Sequence, residues 1–235
     1  MKILNFSKYQ RWMYYFFLGL SLINLHRMLW YYIFENPENW KLGTQNILNN
    51  MGNLYFPAFC MYLHWICGIL ITLLSLIQIL PILRSPPYIH YHRIFGTIYC
   101  ILCVIVSLAG NLFIFSNSTV GGLNMSLAFS CYGWLLFFFS IKTYYSIRQY
   151  QSLKHKKPQE SKVFLDNHRK WAIRLWILSI SGLYYRFVYL ILMIFGYPFG
   201  FTMRESTDFL RPLDKFLSWQ FFIVPLIVTE IYLRK

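Results

Sequence analysis

The sequence predicts an all-α fold, an integral membrane bundle of about six transmembrane helices. Three observations predict it. The 235 residues are 57% hydrophobic and only 13% charged, whereas a soluble domain carries about 25% charge. Several apolar stretches reach the roughly 20 residues a helix needs to cross a bilayer. The Lys and Arg residues collect between those stretches with a marked sidedness. A single membrane domain over 1–235 accounts for the whole length.

The elements follow in order. Lys2, Lys8 and Arg11 precede an apolar run over 12–34, interrupted by His26 and Arg27. The run is too long for a signal peptide and lacks a small-residue cleavage site, so it reads as a retained first helix. A polar loop over 35–57 holds Glu35, Pro37, Glu38 and Pro57. The second helix covers 58–83, with His64 near its start. Pro86 and Pro87 cannot continue a helix, so 84–91 is a tight connector. The third helix spans 92–115, a turn occupies 117–122, and the fourth helix runs over 123–145. Residues 146–167, with Lys154, Lys156, Lys157 and Lys162, are the hydrophilic segment and read as a basic loop. The fifth helix covers 168–195, a polar loop 196–212, and the sixth helix 213–233.

Charge sets the orientation. With the N-terminus inside, residues 1–11, 84–93, 142–174 and 234–235 hold 16 of the 22 Lys and Arg. The opposite side holds 4, namely Lys41, Arg204, Arg211 and Lys215, while Arg27 and Arg186 fall within the membrane. The positive-inside rule then places both termini on the cytoplasmic or matrix side. The net charge of +14 is explained by topology and by anionic headgroups. Without a soluble domain to present a binding face, it does not imply nucleic acid. Four Ala against 22 Phe and 19 Tyr suggest an AT-rich source, which fits a mitochondrial inner membrane or a bacterial inner membrane.

Cys60, Cys67, Cys100, Cys103 and Cys131 all lie in or beside apolar runs. Cys100-x-x-Cys103 has redox spacing but falls inside a helix with no loop around it, so it reads as apolar packing without a disulfide. The sequence carries no phosphate-binding glycine loop, no His-Glu-x-x-His and no nucleophile elbow. No residue is assigned a catalytic role, and enzyme activity is neither predicted nor excluded.

The topology sorts the candidate ligands by depth. His92 and His168 open the third and fifth helices at the inner edge, each followed by an arginine, Arg93 and Arg169. His64 and His26 lie towards the outer edge, in the same half as Arg27 and Arg186. A charge within the hydrocarbon costs about 2.5–3.5 kcal/mol on insertion scales, so it normally faces a partner. No carboxylate is expected at the depth of Arg186, which directs it to a quinone, a phospholipid phosphate or a haem propionate. Glu230 is expected to pair with Arg234.

Each helix carries a stripe of small and weakly polar residues. His64, Gly68, Ile71, Ser75 and Gln78 form one; His92, Gly96, Tyr99, Cys103 and Gly110 form the next. Ser126, Ser130, Gly133 and Ser140 form a third, and His168, Ala172, Leu175, Ser179, Gly182 and Arg186 a fourth. Such stripes let membrane helices approach closely. Alternatively, His-x-x-x-Gly at 64–68 and 92–96 leaves flat space beside an imidazole for a porphyrin. His92 and His168 would then be axial ligands of a haem b iron, His64 and His26 a second pair, and the flanking arginines partners of the propionates. Against this, ligands at the helix mouths would leave a haem half in the headgroups.

The ordered residues His64, His92-Arg93-x-x-Gly96-x-x-Tyr99, His168-Arg169-x-Trp171-x-x-Arg174 and Arg186 resemble those of a family of multi-pass membrane proteins known as a domain of unknown function. The resemblance covers about 60–195, leaving helices 12–34 and 213–233 as additions, and this chain has Thr97 where the family often shows Arg. It implies a helical membrane fold and a shared site, and no reaction. In layout the membrane-edge histidines are also similar to those of transmembrane ascorbate-reducing b-type cytochromes, an analogy of arrangement only.

Two functions follow. The first is a non-catalytic accessory subunit of a larger membrane assembly, of the respiratory kind, in contact with membrane lipids, anionic headgroups and neighbouring membrane subunits. The alternative is a b-type haem- or quinone-binding electron-transfer protein.

Overall fold

A computed structural model describes residues 55–119, 122–194 and 212–234, together with Tyr15 and Gly19. The described residues form five helices and a short 3-10 turn: α1 (Tyr55–Ile79), the turn (Pro81–Arg84), α2 (Ile89–Asn117), α3 (Gly122–Leu153), α4 (Pro158–Ile194) and α5 (Pro212–Leu233). The first helix expected from sequence lies outside the described residues, apart from Tyr15 and Gly19, which are helical. Four helices, α1, α2, α3 and α5, are long and apolar enough to cross a membrane. An apolar solvent cannot satisfy open backbone groups, so a spanning chain of this kind folds every segment into a helix that bonds to itself.

The helix ends depart from the hydropathy boundaries for local reasons. α1 stops at Ile79, short of the expected Leu83, because Pro81 cannot donate to the ladder and the chain tightens into the 3-10 turn. α2 begins at Ile89, directly after the Pro86–Pro87 connector. The larger difference concerns 146–167, which is helical except around Lys154–Lys157. α3 runs on to Leu153 and α4 starts at Pro158, so the expected basic loop is the tip of a long helical hairpin. Hydropathy marks where the bilayer ends; Gln, Lys, Glu and Leu sustain a helix well beyond it. Pro158 sits in the first turn of α4, where its missing N–H costs nothing.

Short connections make α1 to α4 alternate in direction, and each packs on the next. α4 is central: it lies along α3 and α5 and touches α1. Two polar ties fix it across the bundle. Trp176 Nε1 donates to the Ser75 carbonyl of α1 at 3.2 Å, and the hydroxyls of Ser179 and of Tyr99 on α2 share a 2.5 Å hydrogen bond. The core between them contains Cys67, Ile71, Cys103, Leu136, Leu175 and Phe221. Lipid tails are as apolar as these side chains, so dispersion and interhelical hydrogen bonds hold the bundle together. The stripes found in the sequence face inward: Ile71, Ser75, Tyr99, Cys103, Ser126, Gly133, Ser140, Leu175 and Ser179 are buried, whereas Arg186 is exposed. All five cysteines are free, and only Cys131 is exposed.

α5 closes the bundle through aromatic packing and an ion pair. The Phe221 ring centroid lies 5.0 Å from that of Tyr185 and 5.1 Å from that of Tyr132. Towards the basic end, Arg174 Nε and Nη2 donate to the two Glu230 carboxylate oxygens at 2.5 and 2.9 Å. Arg174 also lies over the Trp171 ring at 4.6 Å. This corrects the expected Glu230–Arg234 pair. Glu230 faces α4, and a planar guanidinium matches a carboxylate with two parallel bonds; Arg234 adds only its nearby charge.

Candidate functional site

Two clusters of polar side chains stand along α2, one in its first turn and one in its second half. Fourteen residues separate His92 from Val106, which is about 21 Å along a helix, comparable with a span of roughly 30 Å of hydrocarbon.

At the basic end the structure brings the two predicted histidines together. His92, in the first turn of α2, has the imidazole of His168 and the guanidinium groups of Arg84 and Arg93 close enough to act on it electrostatically. His168 is fixed by α3: its Nδ1 lies 3.0 Å from the Thr143 carbonyl. A carbonyl only accepts, so the proton of that bond sits on Nδ1 and a neutral ring keeps its lone pair on Nε2. Arg169, an exposed neighbour, contributes charge to His168. His92 differs. Its Nδ1 is buried and has no hydrogen-bond partner among the described residues, a state that native structures rarely leave unexplained. Gln78 Nε2 donates to the His92 carbonyl at 3.3 Å. The Gln78 amide also occupies the recess at Gly96, where a Cβ would meet its Oε1 at 3.3 Å.

At the second cluster His64 is held in the same manner. Its Nδ1 donates to the Val106 carbonyl at 3.0 Å, again leaving Nε2 as the ring's acceptor. The imidazole fits because position 110 is glycine: a Cβ there would stand 2.8 Å from His64 Nδ1. Gly68, the other half of the sequence pattern, has nothing within 4 Å of such a Cβ. The flat space beside His64 is therefore supplied by α2, not by its own helix. Arg186 lies near enough to act on both His64 and Tyr132, so α1, α3 and α4 converge there. His26, the proposed companion of His64, lies outside the described residues.

Beside this cluster, Asn111 on α2 is pinned from both sides. Its Nδ2 donates to the Ser107 carbonyl at 2.9 Å, and Ser130 Oγ on α3 donates to its Oδ1 at 2.6 Å. A carboxylate also lies in this half, contrary to expectation. Asp214, on the first turn of α5, is 1% exposed and accepts from the Tyr189 hydroxyl at 2.6 Å. Tyr189 is one helical turn from Arg186, so this carboxylate lies near the depth of that arginine. Hydropathy assigned Asp214 to the helix mouth and hid it.

The sequence singled out His92, His168, His64, His26, Arg93, Arg169 and Arg186 as candidates; Arg84, Gln78 and Asp214, which it did not propose, join these clusters in the structure. Arg84 looked like a topology charge. Gln78 was visible as the most polar member of its stripe. Among the described residues no group of three or more His, Cys, Asp or Glu could hold a metal ion, although a haem iron would ask for only two.

No curated protein matches the chain, and no solved structure matches it. The sequence profile of DUF2306, described as a predicted membrane protein, matches residues 61–232, covering α1 to α5 from the second turn of α1 onward. The chain therefore belongs to the DUF2306 family of predicted membrane proteins.

Proposed function

We propose that this protein is a non-catalytic subunit of a larger membrane assembly, holding its place through the bundle rather than through a reaction. One observation carries the reading: the polar groups of the interior are spent on joining helices. The recesses at Gly96, Gly110 and Gly133 are occupied by Gln78, His64 and Asn111 of neighbouring helices. His64 and His168 each spend Nδ1 on a carbonyl of an adjacent helix. The outward faces are apolar, as membrane neighbours or acyl chains require; on α5 they include Phe216, Val224, Ile227, Val228 and Tyr232.

The test is the mass of the particle that holds the chain. Native membranes solubilised in a mild detergent should release it with partner subunits in fixed stoichiometry through two orthogonal separations. Release as a single chain or as a homo-oligomer alone would remove the reading.

A second reading, electron transfer, is favoured by the unpartnered, buried Nδ1 of His92 beside His168. His92 and His168 would ligate a haem b iron, with His168 oriented by the Thr143 carbonyl in the way metal-binding imidazoles usually are. Arg84, Arg93 and Arg169 would face the propionates. A bound haem would supply one-electron chemistry, and His64 and Arg186 at the far end would receive a second haem or a quinone. The dithionite-reduced protein would show a b-type α-band that His92→Ala abolishes; a featureless spectrum of intact protein would end this reading.

A further inference from the structure

The α3–α4 hairpin is longer than a membrane needs. α3 has 32 residues and α4 has 37, or about 48 and 55 Å of helix, against roughly 30 Å of hydrocarbon. In α3 the apolar run from Gly122 meets its first charge at Lys142, and in α4 Lys170 is the last charge before Arg174, which is paired with Glu230. Beyond those two residues the hairpin rises a further 16–18 Å or so along its axis. The headgroup layer takes up about 5–7 Å of that, which leaves the tip about 10 Å clear of it, beyond the Debye length of roughly 8 Å at physiological salt.

The projecting part is rigid and positively charged. Ser146 and Ser161, small residues on the two packed helices, are both buried, and the His168–Thr143 hydrogen bond closes its base. Residues 142–170 contain eight Lys and Arg against Glu160 and Asp166. Both acids are consumed locally, by Lys157 at 2.9 Å and by Lys170 at 2.7 Å. Lys154, Lys156 and Lys162 are exposed and have no ion pair among the described residues. A topology signal needs only charge near the membrane; here the charge is mounted on a helical hairpin and carried to where the headgroup field is largely screened.

We infer that the hairpin tip, through Lys154, Lys156 and Lys162, docks an acidic face of an extramembrane protein domain. The inference rests on the proposed role as an assembly subunit and names the chemistry of one partner. Nearby anionic headgroups compete chiefly for the hairpin base, at Lys142, Arg169 and Lys170, and less for the tip, where their field is largely screened.

Zero-length carbodiimide coupling in native membranes, read by mass spectrometry, tests it. The reagent joins an amine to a carboxylate only when they touch, and the Lys157–Glu160 and Lys170–Asp166 pairs serve as internal controls. Lys154, Lys156 or Lys162 should form amide links to Asp or Glu of one extramembrane polypeptide at a single set of positions. The triple variant K154Q/K156Q/K162Q removes the coupling amines together with the charges, so it is read without reagent: the amount of that polypeptide held on the solubilised protein should fall by about tenfold, as expected when several rim charges of an interface are lost. The inference falls if both control pairs couple while the three lysines stay free or join only to the carboxylates of phosphatidylserine. If the chain still migrates with partner subunits in that case, the assembly role survives and the docking site alone is lost. A chain that migrates alone loses both.

Discussion

Gly110 on α2 is the seat of His64 on α1: a Cβ at position 110 would stand 2.8 Å from the imidazole Nδ1 and 3.1 Å from Cε1. The ring needs that space to reach the Val106 carbonyl, one turn away on the same helix. Replacing Gly110 with Ala should push the ring off its acceptor and strand a buried donor, a loss of about 1–3 kcal/mol. Gly68→Ala, facing open space, should stay within about 0.5 kcal/mol. Thermal unfolding of the two variants in one detergent checks this; equal midpoints would show that His64 is not seated by α2.

The Arg174–Glu230 pair makes a separate claim about α5. Removing either partner leaves the other without its two charge-assisted bonds, so Glu230→Ala and Arg174→Ala should each destabilise the protein by about 1–3 kcal/mol. The double variant should be less harmful than the sum of the two, because neither charge is then left unpaired. Arg234→Ala, which removes only a nearby charge, should have a small effect. A larger loss in Arg234→Ala than in Arg174→Ala would restore the pairing expected from sequence order.

The comparison of Arg174 with Arg234 shows where the sequence was readable. Helix order, the inward stripes and the co-location of His92 with His168 are properties of periodicity and sidedness along one chain, and they are legible there. Which residue of one helix meets which of another depends on rotation and sliding between helices. That is why Gly68 looked like the space beside His64 when Gly110 provides it, and why Glu230 looked committed to its sequence neighbour. The α3–α4 hairpin was missed for a different reason. Hydropathy reports the solvent around a segment, and a polar helix in water has the same hydropathy as a loop. Asp214 was missed because a carboxylate at a helix mouth is ordinarily solvated, and only tertiary packing against Tyr189 buries it.

Rotation of α3 can be tested through its exposed cysteine. Cys131 lies nine residues from Gly122, about 14 Å into the span and near the mid-plane of a bilayer roughly 30 Å thick. Cys60, Cys67, Cys100 and Cys103 are buried. A nitroxide label introduced in detergent should therefore attach to Cys131 first. After reconstitution it should collide readily with oxygen and hardly at all with a water-soluble nickel chelate. The opposite preference in the paramagnetic spectrum would place this face of α3 against water.

Gly133 and Asn111 give the sharpest packing test, because the side chain in the way cannot yield. A Cβ at position 133 would lie 2.5 Å from Asn111 Nδ2, while at position 96 it would lie 3.3 Å from Gln78 Oε1. Asn111 is short and pinned by Ser107 and Ser130. Gln78 has one more methylene and a single 3.3 Å bond through its amide, so its tip can move by a few tenths of an ångström. Gly133→Ala should cost about 1–3 kcal/mol as an overpacked site, and Gly96→Ala less than about 1 kcal/mol. Asn111→Ala should itself be destabilising, since it leaves Ser130 without its acceptor. Combined with Gly133→Ala, however, it removes the side chain that the new methyl would strike, so the second substitution should add almost nothing to the first. A double-mutant cycle on thermal midpoints measures that coupling directly. Strictly additive losses would mean that α2 and α3 do not meet at these two residues.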